Sequence, residues 1–179
     1  DTREVAVSGA DPADVERIER LAEEEIGTPL VRVDGDGLAD RITDEVPGAA
    51  HVEVETGWPH TLNVNVTSRL PALAIRGEGD GYRLLDLEGV VIRTVTKPPR
   101  GVPTVRAEDD VEVSGHGVRA ALGMLEALPE DTRPRVKGIT VDSADQISFR
   151  LGGTEVIWGD VSSPDVKVEV IEILLAKKP

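Results

Sequence analysis

Apolar and polar residues alternate through His51-Val52-Glu53-Val54-Glu55 and again through Leu62-Asn63-Val64-Asn65-Val66. Period-two alternation marks strands with one buried face. Gly57 and Pro59 lie between the two runs and set a turn, so the pattern predicts a hairpin with Trp58 at its tip. Upstream, Arg3-Glu4-Val5-Ala6-Val7-Ser8-Gly9 reads as a short strand ending at a glycine. Asp11-Pro12-Ala13-Asp14 then opens a helix, with acids and a proline in its first turn. Val15, Ile18, Leu21, Ala22 and Ile26 recur at helical spacing, and Gly27 and Pro29 stop the helix. Leu30-Val31-Arg32-Val33 is expected to be a short extended piece. Asp34-Gly35-Asp36-Gly37 turns into a second helix with Leu38, Ile42 and Val46 on one face, ended by Pro47-Gly48. The order is β-α-α-β-β.

The character changes after Ser68-Arg69-Leu70-Pro71. Short strands are expected at Ala72–Ile75, Tyr82–Asp86 and Val90–Val95, joined by turns at Gly77–Gly81 and Leu87–Gly89. Lys97 to Pro103 is a proline-rich loop. Val118 to Leu128 reads as an amphipathic helix with Val118, Leu122, Leu125 and Leu128 inward. Strands follow at Val136–Asp142, Gln146–Leu151 and Thr154–Trp158. Pro164 starts a last helix, with Val168, Ile171, Leu174 and Leu175 facing a core and Lys177 and Lys178 suiting its C-terminal end. The chain therefore divides into a βααββ domain, 1–69, and a mostly antiparallel β domain with two helices, 70–179. The fold class is α+β.

Charge and composition narrow the function. The chain has 20 Lys+Arg against 34 Asp+Glu, a formal net charge of −14. Such a surface repels phosphate backbones and anionic lipid heads, which argues against nucleic acid as a partner. Aromatic residues are 2%, too few for base-stacking platforms. There is no cysteine, hence no disulfide, thiolate metal site or cysteine nucleophile. No run approaches the ~20 apolar residues of a membrane-spanning helix. The chain opens without Met and almost inside a strand, so it reads as an excised fragment.

No constellation points to catalysis, a metal or a cofactor. Asp34, Asp36 and Glu45 sit at the first, third and twelfth positions of an EF-hand loop, but Leu38 and Ala39 occupy the fifth and sixth, so the stretch reads as a helix start. Gly77-Glu78-Gly79-Asp80-Gly81 carries two acids and precedes no helix, unlike a phosphate cradle. His51, His60 and His116 lack metal-site spacing, although His51 and His60 could meet across the hairpin. Ser114-Gly115-His116 fails the nucleophile-elbow pattern, because Glu112 stands where a glycine belongs, and reads as a helix cap. Asn65-Val66-Thr67 matches a glycosylation triplet but falls in a strand. Trp58 is either a binding anchor or folded back on its own helices. Trp158 either packs under the last helix or sits at a sheet edge.

The ordered set of Val5-x-Val7-x-Gly9, Gly27-Thr28-Pro29-Leu30, Val33-Asp34, Gly57-Trp58-Pro59 and Arg69-Leu70-Pro71 resembles the POTRA domain of the FtsQ/DivIB family of bacterial cell-division proteins. Leu85-Asp86-Leu87-Glu88-Gly89-Val90, Val102-Pro103-Thr104-Val105, Val156-Ile157-Trp158-Gly159 and the Lys167–Leu175 helix are similar to that family's second domain. The Trp-Pro-His form and the Trp158-Gly159 pair look most like high-GC Gram-positive members. Two departures stand out. Ser68 occupies a place where the family often has Glu, and the family's strand after the last helix is missing from this chain.

The resemblance implies a non-enzymatic divisome scaffold. It would be a single-pass membrane protein, anchored by an upstream helix, with this part extracytoplasmic and at the division septum. The implied partners are FtsB- and FtsL-like proteins, bound by strand addition and coiled-coil contact, with other septal proteins at the POTRA domain. Its role would be control of septal peptidoglycan synthesis. Trp58, Pro59, Arg69, Pro71 and Trp158 are the candidate partner-binding residues. The competing readings are a POTRA protein of an outer-membrane assembly or secretion system, and a hydrolase.

Overall fold

A computed structural model of the protein describes residues 1–77, 79–108, 112–160 and 162–176. The chain forms two compact units, Asp1–Arg69 and Leu70–Pro179. In the first, strand β1 (Glu4–Ser8) precedes helices α1 (Pro12–Glu23) and α2 (Gly35–Glu45), followed by strands β2 (Ala49–Gly57) and β3 (Thr61–Ser68). The sheet order is β1-β3-β2, with β3 parallel to β1 and antiparallel to β2.

The alternation read in the sequence places Val52, Leu62, Val64 and Val66 in the core, against Ile18, Ala22, Leu38 and Ile42 of the helices. Each Val, Leu or Ile among them contributes about 1.5–3 kcal/mol when fully buried. The helix starts are capped. The Asp11 carboxylate accepts from the Ala13 N–H at 2.9 Å, and that of Asp34 from the Gly37 N–H at 3.0 Å. These acceptors satisfy amides that have no partner within the helix, so the Asp-Gly-Asp-Gly stretch is a cap. Gly9 ends β1 with φ +75°, and a Cβ there would lie 2.0 Å from the Val66 carbonyl oxygen, so glycine is required.

Two local expectations are corrected. Leu30–Arg32 is a single 3-10 turn rather than an extended piece, because the Arg32 N–H donates back to the Pro29 carbonyl at 2.7 Å. Ile26 lies past the end of α1 and is half exposed. There the chain is turned out of the helix by the N-terminal segment, the Gly27 N–H donating to the Thr2 carbonyl at 2.9 Å.

The second unit contains β4 (Leu73–Arg76), β5 (Tyr82–Leu85), β6 (Val91–Val95), β7 (Thr104–Ala107), α3 (Gly115–Ala127), β8 (Val136–Val141), β9 (Ile147–Leu151), β10 (Thr154–Gly159) and α4 (Pro164–Ala176). Its seven strands run in the order β10-β9-β8-β7-β4-β5-β6. The outer pairs are antiparallel, as expected, but the central pairs β8–β7 and β7–β4 are parallel. Parallel neighbours need a crossover, and the segment carrying α3 supplies the one between β7 and β8.

Both helices contribute to one core with Leu73, Val105, Ile139, Ile147 and Phe149. A smaller cluster of Ala74, Leu84 and Ile92 forms apart from it. The β5–β6 turn explains the Asp-x-x-Gly spacing. The buried Asp86 accepts from the Val90 N–H at 2.8 Å, while its own carbonyl accepts from Gly89 at 3.1 Å. In α4, Ile171 is buried and Val168 and Leu175 pack against the core, but Leu174, expected inward, is exposed. Lys177, Lys178 and the Glu78 position of the Gly77–Gly81 turn lie outside the described residues.

Leu62→Ala, in the central strand of the first unit, is expected to destabilise the protein by about 2–5 kcal/mol. Leu70→Ala, at an exposed position, should stay within about 0.5 kcal/mol of wild type. Denaturant unfolding followed by circular dichroism measures both.

Candidate functional site

The five candidate contact residues fall into different environments. Trp58 caps the β2–β3 hairpin and is 89% exposed, so its indole does not fold back on the helices. Pro59 is exposed beside it.

Arg69 is half-buried and fixed to its own unit. Its N–H donates to the Gly48 carbonyl at 2.8 Å and its Nε to the Pro47 carbonyl at 3.1 Å. The guanidinium thus closes the turn after α2 onto the end of β3. Ser68 does parallel work with a hydroxyl, donating to the Gly9 carbonyl at 3.0 Å and accepting from the Asp11 N–H at 2.9 Å. Pro71 is half-buried at the start of the second unit.

Trp158 is 4% exposed. Its ring is tilted against Phe149 at a centroid distance of 6.3 Å, and the Lys167 Nζ lies 5.4 Å from its centre. Burial gives this side chain a core position beneath α4 instead of a surface for a partner. Lys167 also donates to the Asp160 carbonyl at 2.6 Å and approaches its carboxylate at 3.3 Å. The Ser162 hydroxyl and N–H donate to that carboxylate as well. The bonds from Ser162, and then Lys167, hold the Asp160 pKa below its usual value. A cation–π contact and a capped carboxylate therefore join the end of β10 to the start of α4.

Those two elements carry features that the sequence does not single out. β10 is an end strand, paired with β9 alone among the described residues. Gly152 and Gly153, with φ +57° and +85°, form the two-residue turn between them. Such a hairpin closes on a hydrogen-bonded pair, here Thr154 opposite Leu151, and bonding alternates from there. The backbone N–H and C=O of Glu155 and Ile157 consequently point away from β9. Ile157 is 82% exposed. On α4, Val166, Val170, Ile173 and Leu174 are all exposed at helical spacing, opposite the face that packs on the core.

The other chemistry-bearing residues are not brought together. His51 pairs in register with Thr67, at the far end of the hairpin from His60, and its Nε2 lies 3.3 Å from Glu53. The Ser114 hydroxyl caps α3 and donates to Asp145 at 3.0 Å, while the His116 ring meets Arg119 at 3.2 Å. Among the described residues no helix is long and apolar enough to cross a membrane.

Comparison with known proteins covers nearly the whole chain. Residues 1–69 match the family model "POTRA domain, FtsQ-type", and residues 74–178 match "Cell division protein FtsQ/DivIB, C-terminal". The chain is 32% identical to cell division protein FtsQ of Streptomyces coelicolor, covering 98% of this chain and 70% of that one. It is 31% identical to cell division protein FtsQ of Mycolicibacterium smegmatis, covering 98% and 52% respectively. These organisms fit the high-GC expectation. The solved major extracytoplasmic domain of the trans isomer of the bacterial cell division protein DivIB from Geobacillus stearothermophilus overlays with a TM-score of 0.45 at 14% identity, over 63% of this chain and 98% of that one.

The Asp160 network predicts a pH dependence. A carboxyl whose folded pKa is depressed stabilises the fold above its unfolded pKa and loses that contribution as pH falls through the folded value. Hydrogen exchange of the α4 amides should therefore be equally protected, after correction for intrinsic rates, from pH 7 to pH 5 and lose protection below about pH 4. Asp160→Asn should weaken protection at pH 7 and flatten the pH response.

Proposed function

The chain belongs to the FtsQ/DivIB family of cell-division proteins, and we propose that it is the extracytoplasmic part of a single-pass membrane scaffold at the division septum. An upstream helix anchors the protein. It binds FtsB- and FtsL-type partners and helps control septal peptidoglycan synthesis without catalysing a reaction itself. The hairpin tip, Trp58 and Pro59, serves a further septal partner of the POTRA unit.

The observation that supports this reading best is the open β10 end of the seven-stranded sheet. An incoming strand finds the outward N–H and C=O groups of Glu155 and Ile157, and strand addition takes its affinity from such main-chain bonds. The outward apolar stripe of α4 supplies side-chain contact for the helical part of the same partner. A scaffold needs this kind of surface and no catalytic cluster.

Two experiments test the proposal. The full-length protein, tagged at its cytoplasmic end, is expected to form septal bands, and its depletion to give filaments without cross-walls. A uniform signal with normal septa would contradict the reading. Ile157→Pro removes an outward N–H while leaving the β9 ladder intact. It should abolish co-purification of the FtsB-type partner while leaving the thermal transition near wild type. Undiminished partner recovery from that variant would rule out strand addition at this edge.

A further inference from the structure

On the sheet face left bare by α3 and α4, the register lines up two rows of side chains. Arg106 lies beside Thr140, which lies beside Ser148. Lys137 lies beside Arg150, which lies beside Glu155. The face is hollowed into a trough of two lobes, about 680 Å³ and 350 Å³, which share Arg106, Lys137 and Gly138. The hollow exists because Thr104, Gly138, Thr140 and Ser148 are small. Arg100 lines the larger lobe, and Arg150 and Glu155 line the smaller.

The charge of this trough runs against that of the chain. The protein carries 34 acidic and 20 basic residues, so a cation on its surface usually has carboxylates within reach. Here the lining of the two lobes holds four cations, Arg100, Arg106, Lys137 and Arg150, and one carboxylate, Glu155. Among the described residues none of the four makes an ion pair or a side-chain hydrogen bond. Lys137 and Arg150 are direct cross-strand partners, with Cβ atoms about 4.5–5.5 Å apart in such pairs, and like charges so placed oppose folding. An anion bridging the two would relieve that repulsion.

The lining decides which anion. The half-buried Tyr82 and Val102 give the larger lobe an apolar wall alongside Arg106 and Lys137. A phosphate polymer would use the cations and leave that wall in water. An extended polypeptide that alternates carboxylates with aliphatic side chains uses both, since one strand face meets guanidinium groups suited to bidentate carboxylate contact. We propose that this trough binds an acidic, aliphatic-rich, extended segment of a partner polypeptide. The site goes beyond the strand-addition edge, because it recognises side chains and lies on the sheet face.

Fluorescence anisotropy with a short labelled peptide alternating Glu and Val, added to the full chain, tests this. Saturable binding is expected at low salt, weakening as ionic strength rises. Lys137→Glu and Arg106→Glu should each lower affinity by roughly tenfold. The first also turns a like-charge pair into an opposite one, so its thermal unfolding midpoint should hold or rise, which separates lost binding from lost fold. A Gln–Val peptide should not bind, and polyphosphate should compete poorly. The proposal is overturned by no binding, by unchanged affinity in both variants, by equal binding of the Gln–Val peptide, or by tight binding of polyphosphate in place of the Glu–Val peptide.

Discussion

Two helices cannot cover both faces of a seven-stranded sheet. At ~4.8 Å between strands the second unit's sheet is roughly 30 Å wide, while α3 and α4, at 13 residues each, are about 20 Å long. They lie together on one face, where Leu73, Ile139, Ile147, Phe149 and Trp158 form a continuous core with them. Everything beyond that coverage has to be stabilised or used differently. Toward β5 and β6 a small apolar cluster of Ala74, Leu84 and Ile92 closes over itself. Toward β8, β9 and β10 the other face is left polar and cationic, and among the described residues β10 pairs with β9 alone.

An uncovered strand end is a hazard unless something controls what pairs with it. In this unit β10 carries Glu155 and ends in a bulge next to Gly159, which limits indiscriminate pairing. The buried Trp158, with Lys167 over its ring and Asp160 on its ammonium group, fixes the direction in which α4 leaves the strand. The outward stripe of α4 is consequently held on the side of the helix away from the core. The same side chains that complete the core therefore orient the surface through which the family function is proposed to run.

The legible part of this fold is the part governed by local chemistry. Alternation in β2 and β3, the glycine that ends β1, and the Asp11, Asp34 and Ser114 caps all act within a few residues, and each is found where the sequence places it. What stayed hidden depends on distant partners. Ser68 and Arg69 stand out as a motif, but their contacts with Gly9, Asp11, Pro47 and Gly48 exist only once the sheet has formed. The turn places Trp58 at a hairpin tip, but nothing local tells whether its ring folds back on the helices or whether Trp158 packs beneath α4. α4 is apolar on nearly all sides, so periodicity alone could not tell that Leu174 faces out while Ile171 faces in. The parallel centre of the sheet follows from strand order, which no single segment encodes.

We propose that a partner joins the β10 end of the sheet. The direct measurement is amide hydrogen exchange of the full protein, alone and with the FtsB/FtsL-type pair, read at Glu155 and Ile157. These two outward amides should exchange quickly in the free protein and slow markedly in the complex, together with amides of α4. Unchanged exchange at both positions, with protection confined to the hairpin that carries Trp58, would contradict it.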